Sequence, residues 1–369
     1  MLRYSLKRLA LMIPTLIGIL LVNFIIIQFA PGGPIEQMIA KAKGHNTEAT
    51  DRISGSDGFD ADPDVHVPRA QASAASSKYT GSYGIDPDFI KELEVQYGFD
   101  QPPYKRFLKM IKDYITFDFG NSFFQDRSVI SLIKERLPVS ISLGLWATLL
   151  TYLISIPLGI RKALHDGTKF DIWTSTVIII GYAIPSFLFA IMLIIFFAGG
   201  SFWDLFPTRD IVSDNWAQMS WFNKILDYFW HMTLPITAMV IGGFASLTLL
   251  TKNSFIEEIH KQYVTTARAK GLKEKRVLYG HIFRNAMLII ISGFPSAFIH
   301  ILFTSSLLIE VIFSLNGLGL LGFEATLHRD YPIIFATLYI FTLIGLLLHL
   351  LSDLAYMYID PRINFDRKD

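Results

Sequence analysis

Six stretches of the chain contain no Asp, Glu, Lys or Arg: residues 9–30, 138–160, 172–200, 228–251, 285–309 and 332–352. Each approaches or exceeds the roughly 20 apolar residues that a helix needs to cross a hydrocarbon core. The pattern predicts an all-α polytopic membrane protein with six transmembrane helices. The third stretch is longer than a straight crossing requires and is expected to tilt or overhang. Between the first and second lies a long polar segment, 31–137. Its part 41–84 is rich in Gly, Ser, Ala and Asp with few large apolar residues, which predicts a mobile stretch. From Asp86-Pro87 the pattern turns helical, with Phe89, Leu93 and Tyr97 one turn apart. A second helix is predicted from Tyr104, with Phe107, Leu108, Ile111 and Ile115 on one face, and a third near 128–137 with a break at Pro138. These helices of 86–137 are expected to lie on the outer surface of the bundle.

Composition agrees with that reading. The chain is 51% hydrophobic and 18% charged, whereas soluble domains are about one quarter charged. A net charge of +1 gives no field that would attract nucleic acid. With no cysteine, disulfides, thiolate metal sites and thiol nucleophiles are excluded. The first stretch follows Arg3, Lys7 and Arg8 as a signal peptide would. It exceeds a signal h-region, and Pro31-Gly32-Gly33-Pro34 follows it where a cleavage site would stand, so a retained helix is predicted.

Basic residues resist translocation, so their placement orients the chain. Residues 252–284 hold eight Lys or Arg against three Glu, while 201–227 and 310–331 hold two and one basic residues. Both termini and the loop 252–284 are therefore predicted to be cytoplasmic, and 31–137 periplasmic. The organisation expected is an N-terminal transmembrane helix 1–30, the periplasmic segment 31–137, a five-helix core 138–355 and a cytoplasmic tail 356–369.

The loop 252–284 is the most informative region. Over 253–270, Phe255, Ile259, Tyr263 and Ala267 recur every four residues, predicting one helix with an apolar face built to touch something. Gly271 suits a C-cap, and Val277, Leu278, Ile282 and Phe283 begin a second helix. An amphipathic hairpin resting on anionic lipid would satisfy the same residues.

The stretch Tyr263-Val-Thr-Thr-Ala-Arg-Ala-Lys-Gly271-Leu closely resembles the loop of permease subunits of binding-protein-dependent ABC importers, where Glu-Ala-Ala, three residues and Gly mark the helix that fits a groove on the ATPase. Here Thr265 and Thr266 take the Glu and first Ala places, and Ala267 and Gly271 match. Together with His281-Ile-Phe-Arg284, these departures resemble the peptide and nickel branch of that family. Further similarity runs through Ile13-Pro14-Thr15, Glu135-Arg-Leu-Pro138, Ile156-Pro-Leu-Gly159, Val311-Ile-Phe-Ser, Gly317-Leu-Gly319, Arg329-Asp-Tyr-Pro332 and Asp360-Pro-Arg362. Tyr97-Gly-Phe-Asp-Gln-Pro and Phe117-Asp-Phe-Gly120-Asn-Ser are similar to the microcin C and oligopeptide importers of that branch.

The resemblance implies a bacterial inner-membrane permease without catalytic residues of its own. It implies an ATPase docked on Tyr263, Thr265, Thr266, Ala267, Ala269, Lys270, Gly271 and Leu272, gripped by shape and apolar contact, with ATP and magnesium used by that partner. The ATP-binding partner would be one fused double ATPase or separate subunits. A second homologous permease, a periplasmic solute-binding protein and membrane lipid complete the implied set. No Gly-x-x-x-x-Gly-Lys-Ser/Thr loop occurs in this chain. The implied cargo is oligopeptides or peptide-like compounds of the microcin C type, with nickel complexes, glutathione or oligosaccharides as alternatives.

Polar groups within crossings point weakly to a pathway. Asn23, Gln28, His231 and His349 are such groups, and Phe294, Ser296 and His300 are the substrate-pathway candidates. Pro185, Pro235 and Pro295 interrupt their stretches, either to gate a path or as packing kinks, and Gly242-Gly243 is expected to mark a close helix contact. An ion-coupled carrier would want acidic residues inside the crossings, and these stretches have none. Neither His-Glu-x-x-His nor Gly-x-Ser-x-Gly occurs, so metal-dependent and serine hydrolases lack their signatures. An exporter permease is the nearest rival, set aside by the loop pattern.

Overall fold

The structure, a computed structural model, describes residues 2–29, 91, 100–125, 127–199, 202–299 and 306–359. The expectations for 41–84, for the helix beginning at Asp86 and for the tail from residue 360 lie outside these residues, as do His300 and the side chains of Gln28 and Ser296. Among the described residues helices dominate and no strand forms; one antiparallel bridge joins Asn121 and Ser128.

In chain order the helices are α1 (Leu2–Phe29), α2 (Pro103–Ile115), α3 (Val129–Leu164), α4 (Lys169–Ala183), α5 (Ser186–Phe197) and α6 (Trp221–Ile259). Next come α7 (Gln262–Ala269), α8 (Glu274–Val277), a π-helical turn Leu278–Ile282, α9 (Phe283–Ile299), α10 (Ser306–Ile312), α11 (Leu318–Leu327) and α12 (Tyr331–Ile359). Among the described residues five helical segments are long and apolar enough to cross a membrane, and α4 with α5 makes a sixth if the pair is one span, bent by 92° at its break. The third stretch is thus broken where tilt or overhang was expected. Pro185 at the α5 N-cap, with Ile184 extended before it, ends α4, because a proline disfavours helical backbone in its predecessor. The converse holds at Pro138, where the expected break is absent and α3 runs straight through.

The chain forms two compact units, Pro14–Leu132 with Glu324–Tyr339, and Met1–Ile13 with Ile133–Phe323 and Ile340–Asp369. In the first, α2 packs on α1 through Phe107 and Phe24, with ring centroids 5.4 Å apart. Tyr114 meets Phe119 and Tyr339 edge-on at 4.9 and 5.5 Å. The buried side of α2 is therefore that of Phe107 and Tyr114, while Leu108 and Ile115, expected on it, are exposed. Ser122 Oγ donates to the buried Asp330 carboxylate at 2.5 Å, fastening the turn after α2 to the start of α12.

In the second unit one apolar core joins α3, α5, α6 and α10 through Leu143, Ala190, Met232, Ala238, Ile309 and Phe313. Beside it Glu310 is fully buried. Its Oε1 accepts from Ser140 Oγ at 2.7 Å and its Oε2 from the Leu320 N–H at 2.9 Å, while Ser140 Oγ accepts from the Leu318 N–H at 2.8 Å. A buried carboxylate needs such donors. Gly317-Leu-Gly319 is what lets the backbone come that close: a Cβ on Gly317 would strike the carboxylate, and one on Gly319 would lie 2.7 Å from Leu307 Cα.

Helices α3 and α6 lie close together at Gly159, where a Cβ would stand 2.6 Å from Thr251 Cβ. The close contact expected at Gly242 is ordinary by comparison, with a Cβ reaching Ser186 Cβ at 3.8 Å. Gly159→Val is expected to lower stability by about 1–3 kcal/mol through overpacking. Gly181→Ala, whose Cβ meets Ile241 Cδ1 at an ordinary 3.6 Å, should leave the thermal midpoint of detergent-purified protein unchanged. Equal midpoints for the two variants would refute this account.

Candidate coupling site

The loop predicted as one helix over 253–270 is two. α6 ends at Ile259, and Lys261 takes an extended conformation (φ −72°, ψ 147°) as the N-cap of α7. The four-residue recurrence of apolar side chains therefore does not trace a single face. Phe255, Val264 and Ala267 are buried against Val277, Leu278, Ile282, Ala286 and Ile290 of the same chain. The apolar face that was expected to touch something outside touches this core. Ala267, named with the docking residues, is turned into it, and Tyr263 and Leu272 are half-buried. Thr265, Thr266, Ala269, Lys270 and Gly271 are exposed.

Polar bonds hold α7 at both ends. The Glu258 carboxylate receives Lys261 Nζ and, at 2.5 Å, the Tyr263 hydroxyl, which in turn accepts from Asn285 Nδ2 at 3.3 Å. Burial and then the adjacent Glu258 push the Tyr263 phenol above its ordinary pKa, so it stays a donor. At the far end Gly271 takes φ +77°. Its N–H donates to Arg268 O at 2.9 Å, and the Leu272 N–H donates to Ala267 O at 3.3 Å. That pair of bonds is a Schellman cap, which satisfies carbonyls a helix would otherwise leave open. Arg268 then reaches across the turn to Glu274 with two bonds of 2.8 and 3.2 Å. Both side chains are exposed, so the pair adds about 0–1 kcal/mol.

Behind α7 stands a charged group that patterning alone did not reveal. Lys162 is fully buried at the end of α3. Its ammonium donates to Asp171 O (2.9 Å), Thr174 Oγ1 (2.7 Å) and Ser175 Oγ (2.8 Å), which uses its three hydrogens. Asp171 Oδ1 lies 2.9 Å away as the counter-charge. The other carboxylate oxygen accepts from Lys252 of α6 at 2.7 Å, and Lys252 also meets Asp166 at 2.8 Å. Thus α3, α4 and α6 are joined by charge close to where α6 hands over to α7. The sequence signal that could have found it is the alternation of Asp166, Lys169 and Asp171 beside Lys162.

Of the pathway candidates, Phe294 is partly exposed at 42% and lines an apolar cavity of about 340 Å³ with Tyr152, Met287, Pro295, Phe298 and Leu348. Its ring stacks parallel to Phe298 and meets Tyr152 edge-on at 5.1 Å. His231 is buried with Nδ1 2.9 Å from Asp227 O in its own helix, which satisfies it locally. Among the described residues no group of three or more His, Cys, Asp or Glu could hold a metal ion.

The described residues thus hold helices long and apolar enough to cross a membrane, with a short capped helix, α7, between two of them in the chain. Residues 155–365 match the family model described as binding-protein-dependent transport system inner membrane component, and the chain belongs to that family. It is 60% identical to the peptidoglycan transport system permease protein YejB of Agrobacterium fabrum, covering 99% of both chains. It is 58% identical to the inner membrane ABC transporter permease protein YejB of Escherichia coli O157:H7, over 98% of this chain and 99% of that one. The oligopeptide transport system permease protein AppB of Bacillus subtilis is 32% identical, over 98% of this chain and 99% of that one.

Proposed function

We propose that the chain is the membrane-spanning permease of an ABC importer that carries oligopeptides or peptide-like compounds, including those of the microcin C type, into the cytoplasm. It works in a bacterial inner membrane beside a second permease and takes cargo from a solute-binding protein. ATP hydrolysis resides in a partner ATPase that grips α7. The peptide cargo is supported by relatives named for peptidoglycan and oligopeptide transport, both peptide-containing.

One observation carries the docking assignment. α7 is packed on its inner side by Val264 and Ala267, while its outer side offers small or flexible groups at Thr265, Thr266, Ala269 and Lys270, beside the exposed Gln262 and Arg268. A helix held rigidly from within and smooth on the outside can seat in a groove and transmit displacement. The grip is then shape and van der Waals contact at threonine methyls and an alanine, with no carboxylate in the place of Thr265.

The test is bulk on that side. Ala269→Arg and Thr265→Arg are expected to abolish co-purification of the ATPase and ATP-driven uptake of a labelled oligopeptide, with membrane insertion retained. Variants that keep both the ATPase and wild-type uptake would show that the ATPase sits elsewhere. Loss of neither uptake nor binding with Lys270→Ala is also expected, since a flexible ammonium contributes little to a fit by shape.

A further inference from the structure

α2 is a 13-residue helix, too short to cross a membrane, and its surface divides into three strips. Phe107 and Tyr114 face the protein. Tyr104, Leu108 and Ile115 are 63%, 62% and 70% exposed. At about 100° per residue these three fall within roughly 40° of one another. Beside them lie Lys105, Lys109 and Lys112, all exposed, within roughly 60°. Asp113 is the one acid of the helix and falls beyond the lysines.

The height of α2 relative to the bilayer follows from what it packs on. Phe24, which holds Phe107 and lies 5.9 Å beneath the Arg106 guanidinium, is in the last turn of the apolar span Ser5–Ile25. Tyr114 is held by Tyr339, about two turns into the span Tyr331–Leu354. Both attachment points lie in the halves of their spans that border one side of the membrane, Phe24 at the edge and Tyr339 about 12 Å in. α2 therefore sits on that side, its Phe107 end at the boundary and its bare apolar strip beside its lysines.

We propose that α2 is an interfacial helix bound to anionic phospholipid. Tyr104, Leu108 and Ile115 enter the junction of headgroups and acyl chains, and Lys105, Lys109 and Lys112 meet the headgroup phosphates. Low net hydrophobicity, a narrow apolar strip and a cationic flank are the properties of helices that lie in an interface. Lysine stems are long enough to keep the ammonium among phosphates while the chain backbone sits lower. Charge favours lipid over a protein occupant, because a run of three lysines with no acid between them matches a plane of phosphates. The anchor would hold α1 and α12 at a fixed depth while other helices move.

The chain has no cysteine, so single nitroxide labels can be placed cleanly. Leu108→Cys, Ile115→Cys and Lys109→Cys are introduced into the full transporter complex in nanodiscs of phosphatidylglycerol and phosphatidylethanolamine. Relaxation by oxygen and by a water-soluble nickel chelate is then compared. The oxygen-to-nickel ratio is expected to be severalfold higher at Leu108→Cys and Ile115→Cys than at Lys109→Cys. Nickel-dominated relaxation at the first two places the strip in water and overturns the proposal. Shielding from both reagents overturns it too, since the strip is then covered by a protein partner. For the charge component, Lys105→Gln, Lys109→Gln and Lys112→Gln together should lower the ratio at Leu108→Cys in anionic discs. The parent chain in phosphatidylcholine discs should match that lowered value; an unchanged ratio across lipids refutes the role of the lysines.

Discussion

Asp171→Ala is expected to destabilise the protein by about 3–5 kcal/mol, the cost of leaving a buried ion without its partner. The substitution removes only the carboxylate. Lys162 keeps its hydrogen bonds to Asp171 O, Thr174 and Ser175, and Lys252 keeps Asp166. What is lost is the counter-charge of an ammonium with no exposure to solvent. Thermal unfolding of the detergent-purified complex should show a midpoint lowered by several degrees. Adding Lys162→Met removes the stranded charge at similar length and should recover most of the loss. If Asp171→Ala leaves the midpoint unchanged, or if the double variant is no better than the single, the ion pair is not what holds α3 to α4.

Gly271→Pro should uncouple transport from the motor. Proline fixes φ near −65°, whereas Gly271 sits at +77°, and proline also removes the N–H that donates to Arg268 O. The cap cannot form, so the exposed end of α7, with Ala269 and Lys270, must take another path. ATP-driven uptake is expected to fall at least about tenfold, equivalent to about 1.4 kcal/mol or more of lost coupling, with insertion and the apolar core intact. Gly271→Ala is the comparison. A Cβ there meets nothing within 4 Å, so only the left-handed backbone is penalised, by about 1–2 kcal/mol, and uptake should survive in part. A proline variant that still holds the ATPase and transports at the parent rate would disprove the role of this turn.

The crossings were legible because apolar runs of that length have no other stable place. The loop cap was legible at Gly271 because glycine takes that backbone at the least cost. The facing of the side chains was not. Phe255, Ile259, Tyr263 and Ala267 fit a helical period as well as any outward face would, but periodicity is blind to the break at Lys261 and to which side the partner lies. In α2, Ile111 and Ile115 outweighed Tyr114 on hydrophobicity, although Tyr114 is the residue whose ring finds Phe119 and Tyr339. The burial of Lys162 was not legible from hydrophobic patterning because its acceptors come from the following helix and the fold brings them round. Pro185 and Pro138 look alike in sequence. One breaks a helix and the other rides inside it.

The length of α6 has a mechanical consequence. Its 39 residues make a rod of about 58 Å, nearly twice the roughly 30 Å of hydrocarbon it crosses. Met232 lies about 16 Å from one end and Ala238 close to the middle, both in the core beside Glu310, and the other end is one bend away from α7. A rod pivoting at its middle by about 10° moves each tip by about 5 Å, roughly one helical turn. Force applied at α7 would thus arrive at the opposite surface as a displacement of similar size, carried by backbone stiffness without any relay of side chains.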